Sequence, residues 1–301
     1  MTAIKSIRVE KGTTKFHVYG ENAGQEGVWL AHGQVSGIYD TPVTSTWKSG
    51  AFQEGSTYRA TKYMQRDMLL GFHIVDTTTT WEFNDSAFRL MFDYEPDRWW
   101  GSAYQPTKVV VESEHSGIRS LIVLMSEAPE FDMPVDPSKD QHGNVIMKLR
   151  AGKPFWASAD HVSEFKGTGT TGAGTVTVTN PTDRVSYHKF VLTPGTWVLP
   201  DWEFTGPPGN RTPGMKRSVT VPVTAQNGGA VVDWDKQELM FRDHNNTNML
   251  GQLAGTFVEF AIPPYTQPTQ LPVSYSAATG GATAQLRVPH HWSRPWGLER
   301  P

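Results

Sequence analysis

Cysteine is absent from the 301 residues. That excludes disulfide frameworks, zinc–thiolate sites and thiol nucleophiles together. A chain made in a reducing cytoplasm and later exposed outside a cell fits this composition. Strong charge of either sign is also missing: 27 Lys and Arg against 30 Asp and Glu leave a net charge of −3. Phosphate backbones require a concentrated basic field, so nucleic acid is not expected as the main partner. Near-neutrality permits dense self-association instead. Long apolar runs are lacking too, and none approaches a membrane span. The opening Met-Thr-Ala-Ile-Lys-Ser-Ile-Arg has no apolar core of the signal-peptide kind. The expectation is a chain neither exported by that route nor inserted into a membrane.

The arrangements that catalysis uses are missing as well. The sequence holds no G-x-S-x-G elbow and no H-E-x-x-H pair. Residues 169–174 are glycine-rich but run into Thr-Val-Thr-Val-Thr, a strand, whereas a phosphate loop needs a helix N-terminus there. Among ten histidines, His290 and His291 are adjacent, and neighbours in a strand point to opposite faces. Glu112 and Glu114 share a strand face but sit before Ser-Gly, which reads as a solvated turn. Asp243-His244-Asn245-Asn246 has the residues to hold calcium or orient a base and equally resembles a polar β-turn. No enzyme, no cofactor and no metal are therefore expected.

What the chain does contain is 28 Gly, 21 Pro and 11 Trp, with 38% hydrophobic residues. This is the composition of strands and turns, and the length suits two domains or one large all-β domain. A hairpin is expected from 58–65 and 68–75 across Arg66-Asp67. Thr79 with Glu82 has capping-box spacing, and Trp81, Ala87, Phe88, Met91 and Phe92 fall on one side of a helix running to Tyr94. Residues 128–144 read as an ordered surface loop, and 167–174 as a linker or long hairpin tip. Beyond that, strands are expected at 174–179, 187–193, 196–200, 216–221, 229–233, 239–242, 257–262, 271–275 and 283–288. Many short strands with turns between them indicate a sandwich or jelly roll. The Pro- and Gly-rich loop 205–213 is expected to project and move.

Tryptophan gives large contact area with few rotatable bonds, and serves interfaces and sugar-stacking surfaces alike. Trp81, Trp156 and Trp197 read as core. Trp99 and Trp100 follow the helix in a loop. Trp292, Arg294 and Trp296 stand near the end of the sequence, where order is kept only if something holds the segment. These five are the candidate interface residues. Trp202, Pro207, Pro208 and Asn210 form a candidate surface or glycan-contact loop.

The order of segments resembles the distal tail proteins of siphophages. The resemblance is carried by the single helix in a strand-rich first half, and by an acidic Pro-rich loop running into Lys148-Leu-Arg-Ala-Gly-Lys-Pro-Phe-Trp156. It continues in Thr175-Val-Thr-Val-Thr-Asn-Pro-Thr-Asp-Arg-Val-Ser-Tyr-His-Lys-Phe-Val-Leu-Thr193, then Ala230-Val-Val-Asp233, Gly251 and Ala261-Ile-Pro-Pro264. The ending Trp292-Ser-Arg-Pro-Trp-Gly-Leu298 is similar to minor tail proteins of actinobacterial phages. One departure is Ile262-Pro-Pro-Tyr265, where a Pro-Pro-Gly turn is often seen. The resemblance implies a mainly β chain: an N-terminal β-sandwich hub domain with one α-helix (1–160), and a C-terminal sandwich of jelly-roll or galectin-like type (161–301). The tail, about 289–301, would dock on the hub or on a neighbouring subunit. It further implies a structural virion protein of the tail tip, made in the host cytoplasm and forming a homo-oligomeric ring, usually a hexamer. Its partners would be the tail tube, tape measure and baseplate hub proteins. A carbohydrate-binding adhesin contacting host cell-wall glycan is the alternative.

Overall fold

The computed structural model of the chain describes residues 4–97, 99, 101–132 and 136–300. The chain forms two compact units, Met1–Ala157 with Ser293–Gly297, and Ser158–Trp292 with Leu298–Pro301.

The first unit contains β1 (Ile4–Lys11), β2 (Thr14–Gly20), β3 (Val28–Ser36), β4 (Val43–Lys48), β5 (Thr57–Tyr63), β6 (Arg66–Val75) and helix α1 (Trp81–Arg89). It continues with β7 (Lys108–Ser113), β8 (Gly117–Ile122), β9 (Leu124–Met125), β10 (Glu130–Asp132), the single-turn α2 (Pro137–Asp140) and β11 (His142–Ala151). One antiparallel sheet runs β8-β7-β1-β2 and another β10-β11-β6-β3, while β4 and β5 pair only with each other. Alternation decides which residues enter the core: Val109, Val111 and Leu121 from the first sheet, and Met68, Leu70, Phe72, Ile74, Val145, Met147 and Leu149 from the second, are buried. Phe88 of α1 bridges them, with its ring 5.1 Å from Phe16 and 4.7 Å from Phe72.

The second unit holds most of β12 (Trp156–Gly167), so the expected boundary at 160/161 falls inside a continuous strand. It adds β13 (Gly172–Asn180), β14 (Lys189–Leu192), β15 (Gly195–Thr205), β16 (Thr212–Val223), β17 (Ala230–Asp233), β18 (Phe241–Asp243), β19 (Thr266–Ser276) and β20 (Ala282–Trp292). The strands form two layers, β18-β17-β14-β20-β12 and β13-β19-β15-β16. One core fills the space between them. Phe190, Leu192, Val232, Phe241, Leu286 and Val288 from one layer meet Val176, Trp197, Leu199, Val219, Val221 and Val273 from the other.

Several local expectations are corrected. Residues 58–65 do not pair with 68–75. β5 pairs with β4, and β6 lies between β3 and β11. The reason is Arg66: its guanidinium is buried and bound to five acceptors, so Arg66-Asp67 begins a central strand and cannot serve as an exposed turn. The helix starts at N-cap Thr80 without a side-chain cap and stops at Arg89. Asp76, rather than a capping box, accepts the Trp81 N–H. The 128–144 segment is not all loop, since β10, α2 and the first residues of β11 lie in it. Residues 257–261 form no strand, because the buried Asp201 carboxylate takes the N–H groups of Glu259 and Phe260 that a neighbouring strand would use. Residues 168–171 form the turn from β12 into β13 inside the second unit, so they link no domains.

Candidate assembly interface

The feature of the first unit least explained by its own stability is the β4–β5 ribbon. Every residue of both strands is exposed. Two-stranded ribbons are marginal in water, because they bury too little apolar surface to offset ordering. Yet this one carries aromatics: Trp47 is 57% exposed and packs edge-on against Tyr58 at 5.5 Å. Val43 and Trp47 fall on the same face by alternation, opposite Tyr63 and Tyr58. The base packs on the unit through the Tyr63 ring, 5.3 Å from Phe155, and is closed by Met64 N–H donating to Pro42 O across the ribbon. The tip is also built. Ser49 Oγ donates to Gly55 O, Gln53 Oε1 accepts from Gly50 N, and Phe52 adopts φ +64° with its side chain fully in solvent. A bulky residue in the left-handed region costs on the order of 1 kcal/mol, which is not recovered by contacts inside this unit. Sequence reading missed the ribbon by assigning β5 to the wrong partner; the aromatics Trp47, Tyr58 and Tyr63 in two short strand-favouring runs were its signal.

The tail segment Ser293–Gly297 is part of the first unit and is held by two buried arginines. Arg66 donates from Nη2 to Ser293 O at 3.0 Å, from Nη1 to Gly37 O and Ile38 O, from Nε to Pro154 O, and to Thr41 Oγ1. Burial lowers its pKa to about 10, opposed by the charge of Asp40. Arg119 Nη1 donates to Arg294 O at 2.8 Å and Gly297 O at 3.0 Å. Arg294 places its guanidinium 2.6 Å from Asp40 and 4.7 Å from the Tyr39 ring, which also meets Trp296 at 5.0 Å. Arg294 and Trp296 are therefore engaged within the first unit. Trp292 belongs to the second unit, where it is 5% exposed and donates from Nε1 to Ser158 Oγ. Its ring offers a neighbouring subunit almost no surface. Trp99 is 98% exposed, and Trp100 lies outside the described residues.

In the second unit the 205–213 loop is tied down rather than free. Gly209 N–H donates to Tyr265 O, Arg300 Nη1 donates to Pro208 O, and Arg211 Nε donates to Pro264 O. Pro208, Asn210, Tyr265, Gln267, Glu299 and Arg300 line an open groove of about 710 Å³. Tyr265 stands at φ +57°, the left-handed conformation that a glycine would adopt without strain. It uses its side chain there, donating from its hydroxyl to Leu298 O and lying under the Arg300 guanidinium at 4.7 Å. Trp202 packs on the sandwich core beneath Lys216 and does not line the groove, and neither does Pro207.

The remaining candidates resolve into structure. Glu112 accepts from Arg8, and Asp243 Oδ1 accepts from the N–H groups of Asn245 and Thr247, a polar turn. Among the described residues no three His, Asp or Glu side chains group as metal ligands, and no helix is long and apolar enough to cross a membrane.

No family model matches the chain. It is 23% identical to minor tail protein Gp27 of Mycobacterium phage D29, over 92% of this chain and 94% of that protein. It is 22% identical to the same protein of Mycobacterium phage L5, with equal coverage. The likeness is thus to phage minor tail proteins. Among solved structures, the Dit protein of phage SPP1, described as a hub of the adsorption apparatus in phages infecting Gram-positive hosts, matches with a TM-score of 0.53 at 9% identity, covering 94% of this chain and 98% of that one. A chain of the phage p2 baseplate in its activated conformation matches at 0.52 and 6% identity, covering 96% and 98%. At these identities the structural matches establish the fold: mainly β and Dit-like.

Proposed function

We propose that this chain is a structural, non-catalytic protein of the phage tail tip, a distal tail protein that closes into a ring joining the tail tube to the tip proteins. The observation that carries this reading is the fully exposed, aromatic β4–β5 ribbon. A closed ring needs head-to-tail contacts, so each subunit must offer two different complementary patches. A ribbon that projects Trp47, Phe52 and Tyr58 from one copy onto the next supplies one of them. Near-zero net charge lets copies approach without repulsion. The likeness to minor tail proteins and to Dit supports the same role and a place in the virion tail, with tail tube, tape measure and baseplate proteins as partners.

Light scattering and negative-stain imaging of the chain, alone and mixed with its tail tube protein, test this. The expected result is a closed ring with a mass about six times that of the 33.5 kDa chain. A monomer under every condition, including co-assembly, overturns it. The groove beside Asn210 and Tyr265 favours one second reading, host glycan binding by the second unit. A glycan array probed with the whole chain decides that reading; no bound sugar retires it.

A further inference from the structure

On the side of the β3–β6–β11 sheet opposite the core, two imidazoles converge. His73 lies on β6 and His142 on β11; His73 Nδ1 and His142 Nε2 are 3.3 Å apart, with rings 5.2 Å between centroids and tilted by 31°. In the ladder Asn144 stands opposite His73 and His142 opposite Val75, so His73, Asn144 and His142 share one face while Phe72, Ile74 and Val145 point inward. The Asn144 Oδ1 atom is enclosed and accepts no hydrogen bond. The two imidazoles are within hydrogen-bonding distance of each other, and the unpaired Asn144 acceptor shares their sheet face, so the face carries lone pairs that a cation would draw on.

The geometry fits a cation. Nitrogens bound at about 2.0–2.1 Å to one tetrahedral metal lie about 3.3–3.4 Å apart, the spacing these two already have. The register from Arg66 to Val75 against His142 to Ala151 is continuous, so the two rings stand on a rigid frame that need not rearrange. The nearest cationic side chain along the same face of β11, Lys148, is paired with Glu127 and Glu130, so it does not repel a metal.

We propose that His73 and His142, with the Asn144 amide oxygen as third donor, bind a borderline divalent transition cation such as zinc(II), nickel(II) or copper(II) across strands β6 and β11. Imidazole donors select this class over calcium and magnesium, which require several oxygens. The fourth position faces outward, open to water or to a donor from another chain. The site is invisible in the sequence because its histidines are 69 positions apart and belong to no spaced motif.

Calorimetric titration of the untagged full chain with zinc chloride and with nickel chloride tests the site. One site per chain with micromolar affinity is expected, weakened at least about tenfold by either His73→Gln or His142→Gln, and a few-fold by Asn144→Ala. A His290→Gln/His291→Gln control should bind as wild type does. Zinc should raise the melting temperature of the wild type by mass action, and calcium should not. Ring-nitrogen NMR shifts of wild type on zinc addition give a readout that needs no variant. Absence of uptake at millimolar zinc, uptake unchanged in both histidine variants, or an equal response to calcium would each overturn the proposal.

Discussion

Two antiparallel hairpins of this chain use similar residues to opposite ends. β15–β16 pairs Trp197 with Val221 and Leu199 with Val219, and all four side chains are fully buried. β4–β5 pairs Trp47 with Tyr58 and Val43 with Tyr63, and all four are exposed. Both have the strand-favouring composition, and both ladders run antiparallel with a single register shift. What differs is whether a second layer covers one face. Hairpin formation alone therefore does not show where a side chain's stabilisation goes; the covering layer does. For β15–β16 that layer is in the same unit. For β4–β5 we assign it to another copy.

The comparison is broken most directly by Trp197→Ala. Trp197 also donates from Nε1 to Thr193 O at 2.9 Å, so truncation leaves both a cavity and an unpaired carbonyl. A loss of about 3–5 kcal/mol is expected, read as a large shift of the denaturation midpoint. A shift no larger than that of a surface substitution would remove the contrast. Arg66→Leu probes inward commitment in the first unit. It strips the donors from five acceptors at once, and a loss of about 3 kcal/mol is expected from comparable buried charges. Limited proteolysis should then cut first near 293–297, the segment that Arg66 and Arg119 hold; an unchanged cleavage pattern counts against the clamp.

His188 gives a pH-dependent test of the second core. It is buried against Trp234, 4.0 Å between rings, and burial pushes its pKa down to about 3. The folded state keeps the ring neutral while the unfolded chain takes up a proton below about pH 6.5. Stability is thus full above that value and falls as pH drops toward 3. His188→Phe should flatten this part of the stability–pH curve; an unaltered acid limb refutes the assignment. The smallest effect on stability belongs to Trp47→Ala. It should change stability by less than about 0.5 kcal/mol, as exposed positions do, while abolishing ring closure in light scattering. A folded variant that still assembles would show that the ribbon is not the contact.

Much of this fold was legible along the chain. Alternating Val and Thr from 175 to 179, the punctuation by Gly and Pro, and the amphipathic helix with Phe88 inward specify a mainly β chain with little helix, because period-2 and period-3.6 patterns are local. Order of segments carried the likeness to tail proteins for the same reason. The errors lie where a polar side chain supersedes a backbone rule. Arg66 looked like a turn residue until its carbonyl partners came from positions 37, 38, 154 and 293. Residues 257–261 looked like a strand until Asp201 took their donors.

Composition and periodicity by themselves determined that this chain is β-rich, cysteine-free and weakly charged. Only the tertiary structure decided which strands pair, which tryptophans are buried, and that one aromatic ribbon has no cover of its own. The reason is range. Propensity and alternation act between residues a few positions apart, whereas pairing and burial are fixed by groups that meet across tens or hundreds of residues.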